Sequence, residues 1–237
     1  MAEESFAEIL ERSTLRCREA DAPLAERLQL FADDVRSLSP QFAEIVDRMV
    51  ARLKASGAGF ASPSPGEPMP SFLLPNQDGE LVSLEQLLSR GPLVVSFHRG
   101  HWCPYCRFNA DALAKIHPAV AELGAQIIAI TPEVEHFTAE LKSDAKADFP
   151  ILTDLDNGYA LQLNLAIWIN DEKREAMTAA GWDISAFQAN DHWTLPIPAT
   201  FIIGTDGMVK ARFVDPDYRK RMPLEDIMQA LGHDDGQ

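Results

Sequence analysis

Two cysteines three positions apart, Cys103 and Cys106 in the run HRGHWCPYCR, are the residues of this 237-residue chain whose type and spacing point most directly to chemistry. The thiolate is the nucleophilic form of cysteine, and a thiol at a helix N-terminus or beside a cation ionises more readily than a free one. The pair follows an apolar run, LVVSF (93–97), that reads as a buried strand, and a short loop, 98–102, with Gly100 to make the turn. Pro104 suits the first turn of a helix, where its missing N–H loses no intrahelical bond. This places Cys103 at the helix N-terminus and Cys106 about one turn in: a redox dithiol presented at the end of a strand. A zinc site needs about four ligands. The third cysteine, Cys17, is remote in sequence, and no His pair has ligand spacing.

The residues around the pair have matching chemistry. A guanidinium at Arg99 would lower the pKa of a neighbouring thiolate and bind a peroxide oxygen or a carboxylate. His98 and His101 flank the loop and are candidates for moving a proton to a leaving oxygen. Trp102 is placed to shield the sulfur and to form a docking surface, while Arg107 reads as a helix-surface charge. Position at the helix end and expected exposure favour Cys103 as the attacking thiolate, because shielding in apolar surroundings raises a thiol's pKa.

The elements that position these residues are legible in outline. Residues 1–56 carry helical apolar spacing, as in Phe42, Ile45, Val46, Met49, Val50 and Leu53, with breaks at Pro23 and Pro40. This is an N-terminal helical extension whose apolar faces need cover from the main domain or a second subunit, so a homodimer is expected. Cys17 lies on it. A Gly/Pro/Ser-dense stretch, 57–70, reads as a linker or entry segment, leaving 71–237 as the main domain. There, two short strands surround Asp78-Gly79, and Ser83 caps a short helix. The cysteine helix follows, interrupted near its end by Pro118. A strand at 125–130, a helix from 131–132 to about 146, and a strand in 149–154 give the alternation of an α/β sheet. Short helices are expected at 156–163 and 171–180, then an irregular stretch, 182–195, with Trp182 and Trp193. PATFIIG and MVKARFV make an antiparallel hairpin across Asp206-Gly207, and a helix closes the chain at 223–231. The turn DPDYRKR (215–221) mixes charges and is not a convincing phosphate site.

A net charge of −15 argues against nucleic acid and anionic membrane surfaces as partners. Three cysteines are too few for a disulfide framework, and a Cys-x-x-Cys pair beside a βαβ pattern suits redox work in a reducing compartment. MAEESFAEIL lacks the basic and apolar regions of a secretory signal, and no apolar run approaches the roughly 18 residues of a membrane span. A cytoplasmic location is therefore expected. There is no Gly-rich phosphate loop and no Ser–His–Asp signature. The acidic run at 171–175 and the acidic C-terminal tail read as solvated faces.

The order strand, Cys-x-x-Cys helix, strand, helix, then Pro-Ala-Thr-Phe-Ile-Ile and an Asp-Gly hairpin resembles the thioredoxin fold, a mixed central sheet flanked by helices. With Gly66-Glu67-x-x-Pro70-x-Phe72-x-Leu74 as an entry segment, residues 64–232 resemble the peroxiredoxins of the alkyl hydroperoxide reductase C/thiol-specific antioxidant group, in a subgroup carrying CPYC. The resemblance implies a thiol-dependent peroxidase acting on hydrogen peroxide or organic hydroperoxides. It implies no bound cofactor but an external reductant, thioredoxin, glutaredoxin or glutathione. Laid on the peroxiredoxin Pro-x-x-x-Thr-x-x-Cys motif, the peroxidatic cysteine falls on Cys106, the threonine on Cys103 and the proline on Arg99. The peroxiredoxin arginine falls on Pro198, which resembles the cis-proline that thioredoxins set opposite their dithiol; Pro198 and Thr200 would then close the opposite wall of the site. The order of attack stays open between Cys103 and Cys106. A thiol–disulfide oxidoreductase or a redox sensor are the alternative readings.

Overall fold

The computed structural model describes residues 6–232; the acidic C-terminal tail beyond Gly232 lies outside them. Three helices open the chain, α1 (Phe6–Glu19), α2 (Leu24–Leu38) and α3 (Pro40–Ala55), and both expected breaks are present. Pro23 immediately precedes α2. Ser39 caps α3, its hydroxyl accepting from the Phe42 N–H, with Pro40 in the first turn. The stretch after α3 lies along the last sheet strand: Arg212 donates to the Ser62 and Pro63 carbonyls, and Pro68 bridges to Met208.

Strands β1 (Leu73–Pro75) and β2 (Leu81–Ser83) form the hairpin, and Ser83 with Gln86 makes a reciprocal capping box on α4 (Leu84–Leu88). Next come β3 (Leu93–Phe97), α5 (Pro104–Glu122), β4 (Gln126–Thr131), α6 (Glu135–Ala145) and β5 (Ile151–Thr153). A 3-10 turn at Leu155–Asn157 precedes α7 (Gly158–Gln162), β6 (Ala166–Trp168), α8 (Asp171–Ala179), α9 (Ile184–Gln188) and β7 (Thr194–Pro196). The chain closes with β8 (Ala199–Ile203), β9 (Val209–Val214) and α10 (Leu224–Gly232).

Three elements depart from the sequence reading. Helix α5 runs through Pro118, and fully buried Val120 beyond it holds the last turn in the core. Helix α6 begins at Glu135, later than Thr131–Pro132 suggested, because Thr131 still belongs to the β4–β5 ladder. The stretch 182–195 is not irregular: it holds α9 and β7, and β7 pairs antiparallel with β6. Each of these strands has only three residues, too short for alternation to register.

The main sheet has the order β5-β4-β3-β8-β9, parallel across β3–β4 and β4–β5 and antiparallel across β3–β8 and β8–β9. This is the thioredoxin-like α/β arrangement. Successive side chains on a strand face opposite sides. Accordingly Leu93, Val95 and Phe97 of β3 join Phe201 and Ile203 in one core, while Val94 joins Ala110, Leu113 and Ile202 on the α5 side. The N-terminal helices cover the outer face of α5: Leu10, Leu28, Phe31 and Val46 share a core with Tyr105, Phe108 and Ala112. Phe31 sits edge-on to Tyr105 and Phe108, ring centroids 5.2 and 5.5 Å away. Buried Arg27 pairs with Asp111 of α5 at 3.3 Å. Most of the apolar surface of the extension is thus covered within the chain, while Leu15 and Leu38 stay exposed.

Phe31→Ala leaves a cavity between two layers, and its expected cost is roughly 3–5 kcal/mol. Urea denaturation should show a lower midpoint at unchanged slope; a loss under about 1 kcal/mol would place α2 outside the cooperative core.

Candidate active site

The loop 98–103 carries the chain from the end of β3 to the start of α5. The His98 N–H donates to the Ile130 carbonyl at 2.8 Å, extending the sheet pairing by one residue. Gly100 then turns the chain at φ 140°; a Cβ there would lie 2.5 Å from Glu133 Cδ and 2.7 Å from Trp102 Nε1, so no larger residue fits. Cys103 is the N-cap of α5, in extended conformation, and its carbonyl accepts from the N–H of Cys106 at 2.9 Å. Both cysteines are buried, Cys103 at 1% exposure and Cys106 at 0%.

Two donors converge on the Cys106 sulfur. The Arg99 backbone N–H lies 3.2 Å away and the Arg221 guanidinium Nη2 3.3 Å away. Burial alone pushes the Cys106 thiol up. The Cys103 hydrogen bond and the charges of Arg221 and Arg99 outweigh that and hold it well below the ordinary thiol value. Cys103 shifts the other way, raised by burial first and then by donating to the Cys106 thiolate. This corrects the expectation from helix position that Cys103 is the exposed, low-pKa thiol. It is neither exposed nor low, because the cations are aimed at the sulfur one turn further in.

The remaining predicted residues are distributed unevenly. Arg99 is buried, its guanidinium carbon 3.9 Å from the Tyr218 ring centroid and 4.7 Å from that of Trp102, with Nη1 4.0 Å from Cys103 Sγ. His98 lies fully buried, its Nε2 3.0 Å from Ser96 Oγ and 3.2 Å from Asn109 Nδ2. Burial pushes its pKa down to about 4, so at neutral pH it is uncharged and the cations that act on Cys106 are Arg221 and Arg99. The His101 ring is held by α6, with Nε2 2.7 Å from Asp144 and Nδ1 3.4 Å from Glu140. Trp102 lines a recess over Cys103 together with Arg99, Tyr105, Lys173, Met177 and Tyr218. Thr200 is buried in β8 opposite Ser96. The bond before Pro198 is trans, for no cis peptide occurs among the described residues, so the thioredoxin-like cis-proline is corrected. Neither Pro198 nor Thr200 lines the recess, whose far side comes instead from Tyr218, Lys173 and Trp182. Trp193 is a buried core residue; Arg107 binds Glu11 of α1 through both guanidinium nitrogens, at 2.9 and 3.0 Å; and Cys17 sits 3.7 Å from Asp34. All three cysteines are free.

Four residues of the site carry no local sequence signal. Arg221 comes from the DPDYRKR turn, set aside above for its mixed charges. There Arg219 clamps Asp217 and Asp47 while Lys220 reaches Asp215, which leaves Arg221 free to bind the Tyr218 carbonyl and Cys106. Tyr218 stacks under Arg99. Lys173, on α8, lies in the recess. Glu133, just after β4, accepts from the His101 N–H at 2.7 Å and so anchors the loop. Burial pushes its carboxyl up to about 8, with the Cys106 charge adding to the shift and the loop N–H groups opposing it. Each is far from the dithiol in sequence and enters the site only through the fold.

A buried dithiol with a guanidinium and a backbone N–H set against one sulfur, where β3 runs into α5, defines a thiol-redox site on a thioredoxin-like scaffold. The AhpC/TSA family model matches residues 65–212, most of the chain, and the protein belongs to that family. Peroxiredoxin Q of rice chloroplasts (Oryza sativa subsp. japonica) is 33% identical over 94 residues, 40% of this chain and 43% of its own length. The chain therefore spans less than half of that relative. Prostamide/prostaglandin F synthase of Salmo salar is 27% identical over 175 residues, 70% of this chain and 86% of that one. Among solved structures, the peroxidoxin BcpB of Mycobacterium tuberculosis superposes with a TM-score of 0.57 at 21% identity, over 72% of this chain and 97% of its own, and shares the fold.

Arg221→Met is expected to move the Cys106 titration up by roughly one to three pH units, with Arg221→Lys in between. Thiolate ultraviolet absorbance against pH measures it, and an unmoved midpoint would remove Arg221 from the site. A second expectation concerns Glu133, whose folded pKa of about 8 lies above its unfolded value. The unfolded chain ionises first, so this carboxyl lowers stability as pH rises from about 4.5 towards 8. Glu133→Gln should therefore gain stability over the native protein across that interval in denaturant titrations, with no difference at lower pH.

Proposed function

We propose that this protein is a thiol-dependent peroxidase that reduces hydrogen peroxide or organic hydroperoxides through Cys106 and Cys103. The observation that carries the reading is the Cys106 sulfur, which has no exposed surface yet is held as a thiolate by the Arg99 N–H, Arg221 and Cys103. A folded disulfide partner cannot reach such a sulfur, whereas a peroxide of a few atoms can. That favours peroxide reduction over protein disulfide exchange.

The chemistry runs in two steps. The Cys106 thiolate attacks a peroxide oxygen: an S–O bond forms, the O–O bond breaks, and the departing oxygen takes the electron pair and a proton to leave as water or an alcohol. Cys103 then attacks the sulfenic sulfur; an S–S bond forms, the S–O bond breaks, and water leaves carrying the Cys103 proton. Cys103 lines the recess and Cys106 lies one turn further in, so the recess is the side from which peroxide would approach. Arg221 and Arg99 are the groups placed to steady negative charge on the departing oxygen. Trp102 forms a wall of the recess, and neutral His98 keeps Ser96 and Asn109 in place beneath the pair. The two sulfurs carry the electrons, so no prosthetic group is needed, and an external thiol of thioredoxin or glutathione type restores the dithiol. Such a cycle suits a reducing compartment such as the cytoplasm. In this reading residues 1–56 are an extension, 57–70 a connector and 71–237 the catalytic domain, with Phe31, Val35 and Phe42 of the extension completing the recess.

Stopped-flow mixing of the reduced protein with hydrogen peroxide, followed by tryptophan fluorescence, tests the order. Cys106→Ser should abolish the oxidation phase. Cys103→Ser should keep one oxidation, trapped as a sulfenate, and lose turnover. The reverse pattern would assign attack to Cys103, and rapid reaction with a small disulfide but not with peroxide would overturn the peroxidase reading.

A further inference from the structure

Two buried polar atoms on either side of the loop glycine lack a partner, and they are complementary. Glu133 has no exposed surface; its Oε2 accepts from the His101 N–H, while Oε1 has no hydrogen-bond partner. Trp102 is 9% exposed, and its Nε1–H has no acceptor. A Cβ on Gly100 would stand 2.5 Å from Glu133 Oε1 and 2.7 Å from Trp102 Nε1. The acceptor and the donor are therefore no further apart than one oxygen with two hydrogen bonds can span. Burying either atom without a partner is costly, and a bridging water satisfies both.

The peroxide step has one participant still unassigned, the source of the proton on the departing oxygen. Arg99 and Arg221 are guanidiniums, which do not give up protons in proteins. His98 is uncharged at neutral pH, with Nε2 engaged by Ser96 and Asn109. The His101 ring turns away to Asp144 and Glu140 of α6, where His136 also binds Glu140. Cys103 keeps its proton for the resolving step. Glu133 is the acid that remains. Burial, with the charges of Cys106 and Glu140 adding to it and the His101 and Trp102 N–H groups opposing, pushes its carboxyl up to about 8, so it holds a proton at neutral pH. The contribution from Cys106 ends when the thiolate becomes a neutral sulfenic acid. The carboxyl then becomes more acidic at the moment a proton is needed.

Resting on the peroxidase reading above, we propose that Glu133 is the proton donor to the departing oxygen, acting through one water held between Glu133 Oε1 and Trp102 Nε1. Trp102 joins the two regions, since its ring lines the recess from which peroxide approaches. As the S–O bond forms and the O–O bond breaks, the departing oxygen takes the electron pair and a proton from this water, and the water takes the Glu133 proton. Glu133 is left as a carboxylate beside the Cys106 sulfenic acid, so the negative charge passes from sulfur to carboxyl. When the dithiol is restored, the Cys106 charge returns and Glu133 takes up a proton from solvent.

The test varies the leaving group. Hydrogen peroxide and ethyl hydroperoxide expel hydroxide and ethoxide, which need a proton; peracetic acid, close in size to ethyl hydroperoxide, expels acetate, which does not. Loss of free thiol in the reduced full-length protein is followed by quenched flow at neutral pH, a readout that does not depend on the indole. Glu133→Gln keeps an acceptor for the His101 N–H and leaves the charge beside Cys106 unchanged at that pH, but has no acidic proton. It should react at least roughly tenfold slower than native with hydrogen peroxide and ethyl hydroperoxide, and within about twofold of native with peracetic acid. Trp102→Phe keeps an aromatic ring and removes the Nε1–H; it should show the same contrast to a smaller extent. Equal slowing of Glu133→Gln with all three oxidants would reduce Glu133 to an anchor of the loop and overturn the proposal, as would a native rate with hydrogen peroxide. Trp102→Phe with native rates throughout, or slowed alike with all three, overturns it without reference to the first variant. A native protein that loses no thiol to hydrogen peroxide would be failure of the peroxidase reading itself.

Discussion

A sulfur with no exposed surface can carry charge only where the protein replaces the water it has lost, and that requirement shapes the rest of this molecule. For Cys106 the replacement comes from two places: the Arg99 N–H on the loop after β3 and the Arg221 guanidinium from a turn 115 residues away. Removing either leaves a charge whose burial is opposed by several kcal/mol. The loop must therefore hold its shape, and Gly100 and Glu133 between them see to that. The turn 215–221 must also be rigid, which its internal pairs between Asp215, Asp217, Arg219 and Lys220 accomplish. The helix end contributes less than a simple dipole argument suggests, because the donors converge on Cys106 and not on Cys103, which is nearest to it.

The N-terminal helices belong to the same arrangement. They are not part of the minimal fold, but Phe31 packs on Tyr105, one of the two residues between the cysteines, and Phe42 lies under Lys173. With α8 they roof the dithiol and remove it from the surface. Burial and electrostatics are coupled here: the cover over the dithiol is also what makes the charges of Arg221 and Arg99 effective, since the same charges would be screened at an open surface.

Much of this was legible from local patterns. The Cys-x-x-Cys pair, the apolar strand before it, the proline in the first turn of α5, the Ser83 cap and the alternation of strands and helices each depend on residues close together in the chain. They prescribe a thioredoxin-like α/β sheet with a dithiol at one strand's end, and the resemblance to the AhpC/TSA group follows from the same short runs. Local patterns failed where elements were shorter than their own period, as in β6 and β7, and where a proline was tolerated because burial of Val120 outweighed one missing hydrogen bond.

What the sequence determined by itself was the scaffold and the placing of a dithiol at the end of one strand, because backbone propensity and hydrophobic spacing act over a few residues. Which sulfur lies against the cations was decided only by the tertiary structure. Electrostatic stabilisation depends on distance in space, and the deciding cation, Arg221, lies 3.3 Å from Cys106 while standing in a stretch whose sequence offers no sign of it. The same holds for Lys173 and Glu133: each is an ordinary surface-type residue in sequence, made consequential by burial beside the dithiol.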